Sequence, residues 1–132
     1  MNRPGVRQRG RSAQSGQATV ELALGLPFIV LMLLAIVQVG LVARDQILVV
    51  HAAREAARAA AVEPSDAAPR AAAAEASALD PSRMRVDVGP RGMPGSRVEV
   101  AVRYRCATLV PLIGPLVDDV ELRATATMRV EG

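Results

Sequence analysis

The chain has no tryptophan and no lysine, and its 132 residues include one phenylalanine, one tyrosine, one histidine and one cysteine. With so few rings it cannot build a large aromatic ligand pocket or a stacking platform for nucleobases. All sixteen cations are arginines, set against thirteen acids, and the net charge of +3 is spread along the chain instead of being gathered into a dense cationic patch. A nucleic-acid partner is therefore not expected. Cys106 has no second cysteine to pair with inside the chain, and His51 has no second imidazole or thiol near it in the sequence to complete a metal shell. There is no Gly-x-Ser-x-Gly, no P-loop with its lysine, no Gly-x-Gly-x-x-Gly and no Cys-x-x-Cys. These absences point to a non-enzymatic protein with no cofactor.

What the chain does have is a long apolar run. From Leu22 to Ala43 there are 22 consecutive residues without an ionisable group. As a helix rising about 1.5 Å per residue, this run spans the roughly 30 Å hydrocarbon core of a bilayer. Before it, residues 1–16 hold Arg3, Arg7, Arg9 and Arg11 with no acid, among Pro, Gly, Ser and Gln, which reads as a disordered basic leader. Those arginines favour a cytoplasmic N-terminus and an extracytoplasmic remainder, although Arg44, Arg54 and Arg58 follow closely and bring the count near a tie. A cleaved signal peptide is the rival reading. Its apolar core is usually shorter, and Leu41-Val42-Ala43 lacks the small residue three back from the cut.

Glu21 stands at the lip of the run. It is either a solvated helix start in the headgroup region or a carboxylate that needs a cationic partner to be tolerated in lipid. Pro27 removes an amide hydrogen and crowds the carbonyl of Ala23, so the helix should bend or loosen there. Helical period continues beyond the bilayer, with Arg44, His51, Arg54, Glu55 and Arg58 on one face and Val49, Val50, Ala53, Ala56, Ala57 and Ala60 on the other. One helix to about residue 63 is expected, stopped by Pro64, with its alanine face covered by a second copy, by its own domain, or by each at a different height.

A short second helix should follow, capped by Ser65 or Asp66 and running to about Ala78, before the period changes from 3.6 to 2. Met84, Val86 and Val88 form the inward side of one strand; Val98, Val100, Val102, Tyr104 and Cys106 that of a second; Val120, Leu122, Ala124, Ala126, Met128 and Val130 that of a third. The fold class is α+β: a transmembrane segment over 17–43, then a head over 44–132 with a three-stranded antiparallel sheet. Outward carboxylates alternate with arginines, as exposed cross-strand charge pairs do. The run Leu109, Val110, Pro111, Leu112, Ile113, Gly114, Pro115, Leu116, Val117 is an apolar loop that either packs over the sheet or contacts a partner.

The leader ending at Gly16, with Glu21 five residues later at the edge of an apolar helix, resembles the processing site of type IV prepilins. Ala18-Thr19-Val20-Glu21-Leu22-Ala23-Leu24 with Pro27, Ile36-Val37-Gln38-Val39-Gly40, His51-Ala52-Ala53-Arg54-Glu55-Ala56-Ala57-Arg58 and Ala124-Thr125-Ala126-Thr127-Met128-Arg129-Val130 resemble the TadE-like proteins. Those are minor-pilin-like components of the tight adherence (Flp) pilus machinery. The resemblance implies cleavage between Gly16 and Gln17 by a prepilin peptidase, and a Glu21 that neutralises the amino terminus of a neighbouring subunit and sets its axial register. It implies as partners the membrane lipid, the peptidase, other pilin-like subunits and inner-membrane assembly proteins. Leu22 stands where many members have an aromatic residue, and Gln17 where mature pilin-like chains often begin with an apolar one. The competing expectation is a permanently anchored single-span binding module outside any filament, holding its partner through the loop at Leu109–Val117.

Overall fold

The computed structural model of the chain describes residues 11–106 and 119–131, with side chains from Gly16 onward. The leader up to Gly10 and the apolar loop containing Leu109, Val110, Leu112, Ile113 and Leu116 lie outside the described residues. The elements in chain order are α1 (Arg11–Val62), α2 (Ala67–Ala76), a 3-10 turn (Pro81–Arg83), β1 (Met84–Val88), β2 (Arg97–Cys106) and β3 (Val120–Arg129). The chain divides into two compact units, Met1–Val37 and Gln38–Gly132, with α1 contributing to both.

In the first unit α1 begins at Arg11, inside the segment expected to be disordered, and its helical assignment passes unbroken through Pro27. Arg, Ser, Ala and Gln before Gly16 carry no barrier to helix, so an apolar helix behind them can propagate backwards. Proline leaves Pro27 without its own backbone bond but does not end the element.

The second unit is the head. The sheet order is β1-β2-β3, antiparallel throughout. Val86 faces Val102, Val102 faces Ala124, and Tyr104 sits between Met84 and Leu122, so the alternating apolar residues of all three strands share one side, as their period of 2 requires. Against that side α1 lays Val49, Ala52, Ala53, Ala56, Ala57, Ala60 and Ala61, all buried, at the i, i+3, i+4 spacing of one helical face. Over this stretch the chain's own sheet covers the alanine face, which removes it as a surface for a second copy. Gln46 Nε2 donates to the Arg123 carbonyl at 3.3 Å and the Glu131 amide to the Ala61 carbonyl at 3.1 Å, fixing the helix along the sheet.

The connections explain the remaining boundaries. Ser65 Oγ accepts from the Ala67 amide at 3.1 Å, while Asp66 makes no side-chain capping bond. α2 stops at Ala76, two residues before the expected end, and Ser77 Oγ turns back to donate to the Ala73 carbonyl at 2.8 Å. Asp80 then caps the 3-10 turn by accepting from both the Ser82 amide and the Ser82 hydroxyl. Between β1 and β2, Met93-Pro94-Gly95-Ser96 closes through a Ser96 amide to Met93 carbonyl bond of 2.9 Å, and Gly95 has φ of 90°. Pro at the second and a left-handed Gly at the third position are what such a turn needs. Arg91, from the same loop, donates to the carbonyls of Ala60 in the last turn of α1 and of Ser65 just beyond it, at 3.1 Å each.

Candidate functional site

The segment that carries the sequence motifs is the first part of α1. Gly16, Gln17 and Glu21 are all helical and exposed, and nothing lies within 4 Å of where a Gly16 side chain would begin. Four residues separate Gly16 from Glu21 and leave the carboxylate a little over one helical turn beyond the glycine. Beyond Glu21, Leu22, Leu24, Leu26, Phe28, Ile29, Met32, Leu33 and Ile36 are all exposed, on every side of the helix. A helix apolar all round and uncovered by its own protein suits a hydrocarbon environment, and this helix is long and apolar enough to cross a membrane. The chain is consistent with a single-pass membrane protein.

Within the head, the membrane-exit end has its own chemistry. Asp45, two residues past the uncharged run, accepts from Cys106 Sγ at 3.2 Å through Oδ2, and Arg44 lies 3.6 Å from its other oxygen. Cys106 is a buried free thiol, as its inward register requires. Burial, then the hydrogen bond to the Asp45 carboxylate and the charge of Asp45, push the thiol pKa up to about 11. A thiol held protonated in this way is a poor nucleophile, so Cys106 has a packing role. Asp80, by contrast, is held below the usual carboxylate range by the two donors of Ser82, with Arg83 adding its charge.

The described residues include no group of three or more His, Cys, Asp or Glu side chains able to hold a metal ion. His51 is exposed on the outer face of α1. Gly16, Gln17, Glu21 and Pro27 all lie in the first unit, on α1, and Asp45 and Cys106 in the second. One arrangement escaped the sequence reading. On the outer side of the sheet the strands set Arg85 opposite Arg103, Arg103 opposite Arg123, and Arg97 opposite Arg129. The expected alternation of opposite charges across strands survives directly only at Arg105 and Glu121, with a diagonal ion pair of 3.6 Å between Arg103 and Asp87. Period alone assigns a side to each residue but not a partner across the gap, and thirteen residues separate β2 from β3 in the sequence, more than a tight turn whose type would fix the register.

Among known protein families, residues 16–58 fit the model of the TadE-like proteins. The matched stretch takes in Gly16, Glu21, Pro27, the whole apolar run and the alanine face of α1 as far as Arg58. No curated protein and no solved structure matches the chain.

Proposed function

With the TadE-like signature over residues 16–58 as premise, we propose that the chain is a non-enzymatic, minor-pilin-like subunit or assembly component of a tight adherence pilus. Its basic leader is removed after Gly16, and the new chain begins at Gln17. The observation that carries this reading is the family match itself, because it starts at Gly16 and encloses both the processing motif and the span. The exposed position of Glu21 supports it. A carboxylate at the edge of lipid and the free ammonium of a neighbour's Gln17 relieve each other's desolvation, and the pair fixes how far one helix slides along the next. Gly16 also suits a cut site: glycine weakens a helix interior by about 0.5–1 kcal/mol relative to alanine, so the bond to Gln17 is easier to unwind into a peptidase. The N-terminus lies in the cytoplasm and the head outside, with membrane lipid, the peptidase and other pilin-like subunits as partners.

The test is the intact mass of the protein recovered from membranes of cells with and without the prepilin peptidase. A peptidase-dependent chain starting at Gln17 supports the proposal; an uncut leader in both samples supports a permanent single-span anchor, and a start beyond Ala43 a signal peptide. Glu21→Ala then separates assembly from anchoring: pilus assembly is expected to fail at normal membrane levels of the protein. An anchored head outside any filament would be indifferent to that change.

A further inference from the structure

The outer side of the sheet is built at an electrostatic cost. Arg85, Arg103 and Arg123 form one row across all three strands, and like charges directly opposite one another are destabilising. A slip of β3 by two residues would keep every apolar side chain inside while setting Arg103 opposite Glu121 and Arg105 opposite Asp119. The chain folds in the register that gives those pairs up. Ser82, Arg83, Arg85, Arg103 and Arg105, with Glu121, line a concave cleft of about 110 Å³ beside the row. Arg83 reaches Asp80 at 3.8 Å and Arg103 reaches Asp87, but Arg85, Arg105 and Arg123 form no ion pair among the described residues.

The cleft has a definite height in the head. Cys106, the residue after Arg105, touches Asp45, two residues beyond the end of the uncharged run. Arg83 also lines the neighbouring cleft together with Leu41 and Arg44, which puts this end of the arginine cleft beside the last residues of the uncharged run. Guanidinium forks match the paired oxygens of a phosphate, and exposed charges act over about one Debye length, roughly 8 Å at physiological salt. We propose that the arginine cleft binds the phosphate headgroups of anionic phospholipids and seats the head on the membrane surface. An acidic protein partner would be served as well by Arg97 and Arg129 at the far end of the same side; the concentration of arginines at the membrane end favours lipid.

The inference rests on Leu22–Ala43 crossing the membrane, and its test separates the two. The full chain is reconstituted into bilayers of phosphatidylcholine with one-fifth phosphatidylglycerol, repurified in mild detergent, and the retained lipid measured by mass spectrometry. Retained phosphatidylglycerol should exceed its bulk share several-fold in the native chain. It should drop at least threefold in Arg85→Gln/Arg105→Gln and stay near native in Arg97→Gln/Arg129→Gln, which loses the same charge from the same side. No enrichment in the native chain, an equal drop in both variants, or displacement of the lipid by millimolar inorganic phosphate or by an acidic peptide would overturn the proposal. Alkaline carbonate extraction of each sample distinguishes the failures: a chain that stays in the pellet without enrichment loses only the headgroup site, whereas a released chain loses the span as well.

Discussion

Helix α1 solves the same problem twice with different side chains. In its first part the apolar residues are large and uncovered, Phe28 at 74% and Val39 at 69% exposure, whereas Val49 and Ala56 farther along are fully buried. The large residues need only a medium that conforms to them, and hydrocarbon does so at any rotamer. The second part must lie against a pleated sheet that does not yield, and six alanines let the helix backbone come close to the valines of β2. Apolar content alone would not tell the two apart. Side-chain size and charge at the surrounding positions do: Arg54, Glu55 and Arg58 mark a solvated face that the first part does not have.

This contrast can be broken most severely from the sheet side. Val100 is fully buried midway along β2, and Val100→Asp would place an unpaired carboxylate against the alanine face. A loss above about 4 kcal/mol is expected. Hydrogen exchange should then show β2 and β3 as unprotected as loops, while protection within Leu22–Ala43 in a bilayer persists.

A finer comparison uses one substitution in each surrounding. Ala56→Leu forces volume into a filled helix–sheet contact and should destabilise the head by about 1–3 kcal/mol. Leu33→Ala removes as much volume from an uncovered position, and the head's stability should change by less than about 0.5 kcal/mol. Denaturant unfolding of the full chain in detergent, followed by head-specific exchange, reads both; equal effects would mean that the head senses the span's side chains.

The smallest effect concerns pH. The Cys106 thiol titrates at about 11 in the folded head against 9.0 for an ordinary thiol. Between those values the folded state holds the proton that the unfolded state has lost, so stability should fall as pH rises from about 9 to 11 and be unaffected by this group below that window. In Cys106→Ala the midpoint of thermal unfolding should decline less over that range than in the native chain. Parallel curves would show that burial and the Asp45 contact together do not hold the thiol protonated.

Much of the architecture was legible because it depends on period. The inward residues of β1 and β2 with Leu122, the alanine face and the stop at Pro64 follow from alternation, helical spacing and the missing amide of proline, and the structure has them in place, whereas Val120 and Met128, expected inward near the ends of β3, are exposed. The 3-10 turn at Pro81–Arg83 was not legible, since a three-residue element has no period, and Asp80 makes it by capping Ser82. Arg91 carries no local signal for its role, because its contacts at the end of α1 are with residues 26 and 31 positions away in the chain. In the candidate site, Gly16, Glu21 and Pro27 were visible as local motifs, whereas the arginine cleft was not.

By itself, the sequence determined which segment suits a bilayer, which side of α1 and of the first two strands turns inward, and where the TadE-like motif lies, because each of these is set by neighbours within a few residues. Only the tertiary structure decided the strand register, the contact of Cys106 with Asp45 and the meeting of Arg83, Arg85, Arg103 and Arg105 in one cleft. Alternation permits every even slip of one strand along another, and what chooses among them is how valine, alanine, tyrosine and leucine fill the space beneath α1. The arginines on the outer side are carried into register by that packing, whatever repulsion it leaves them.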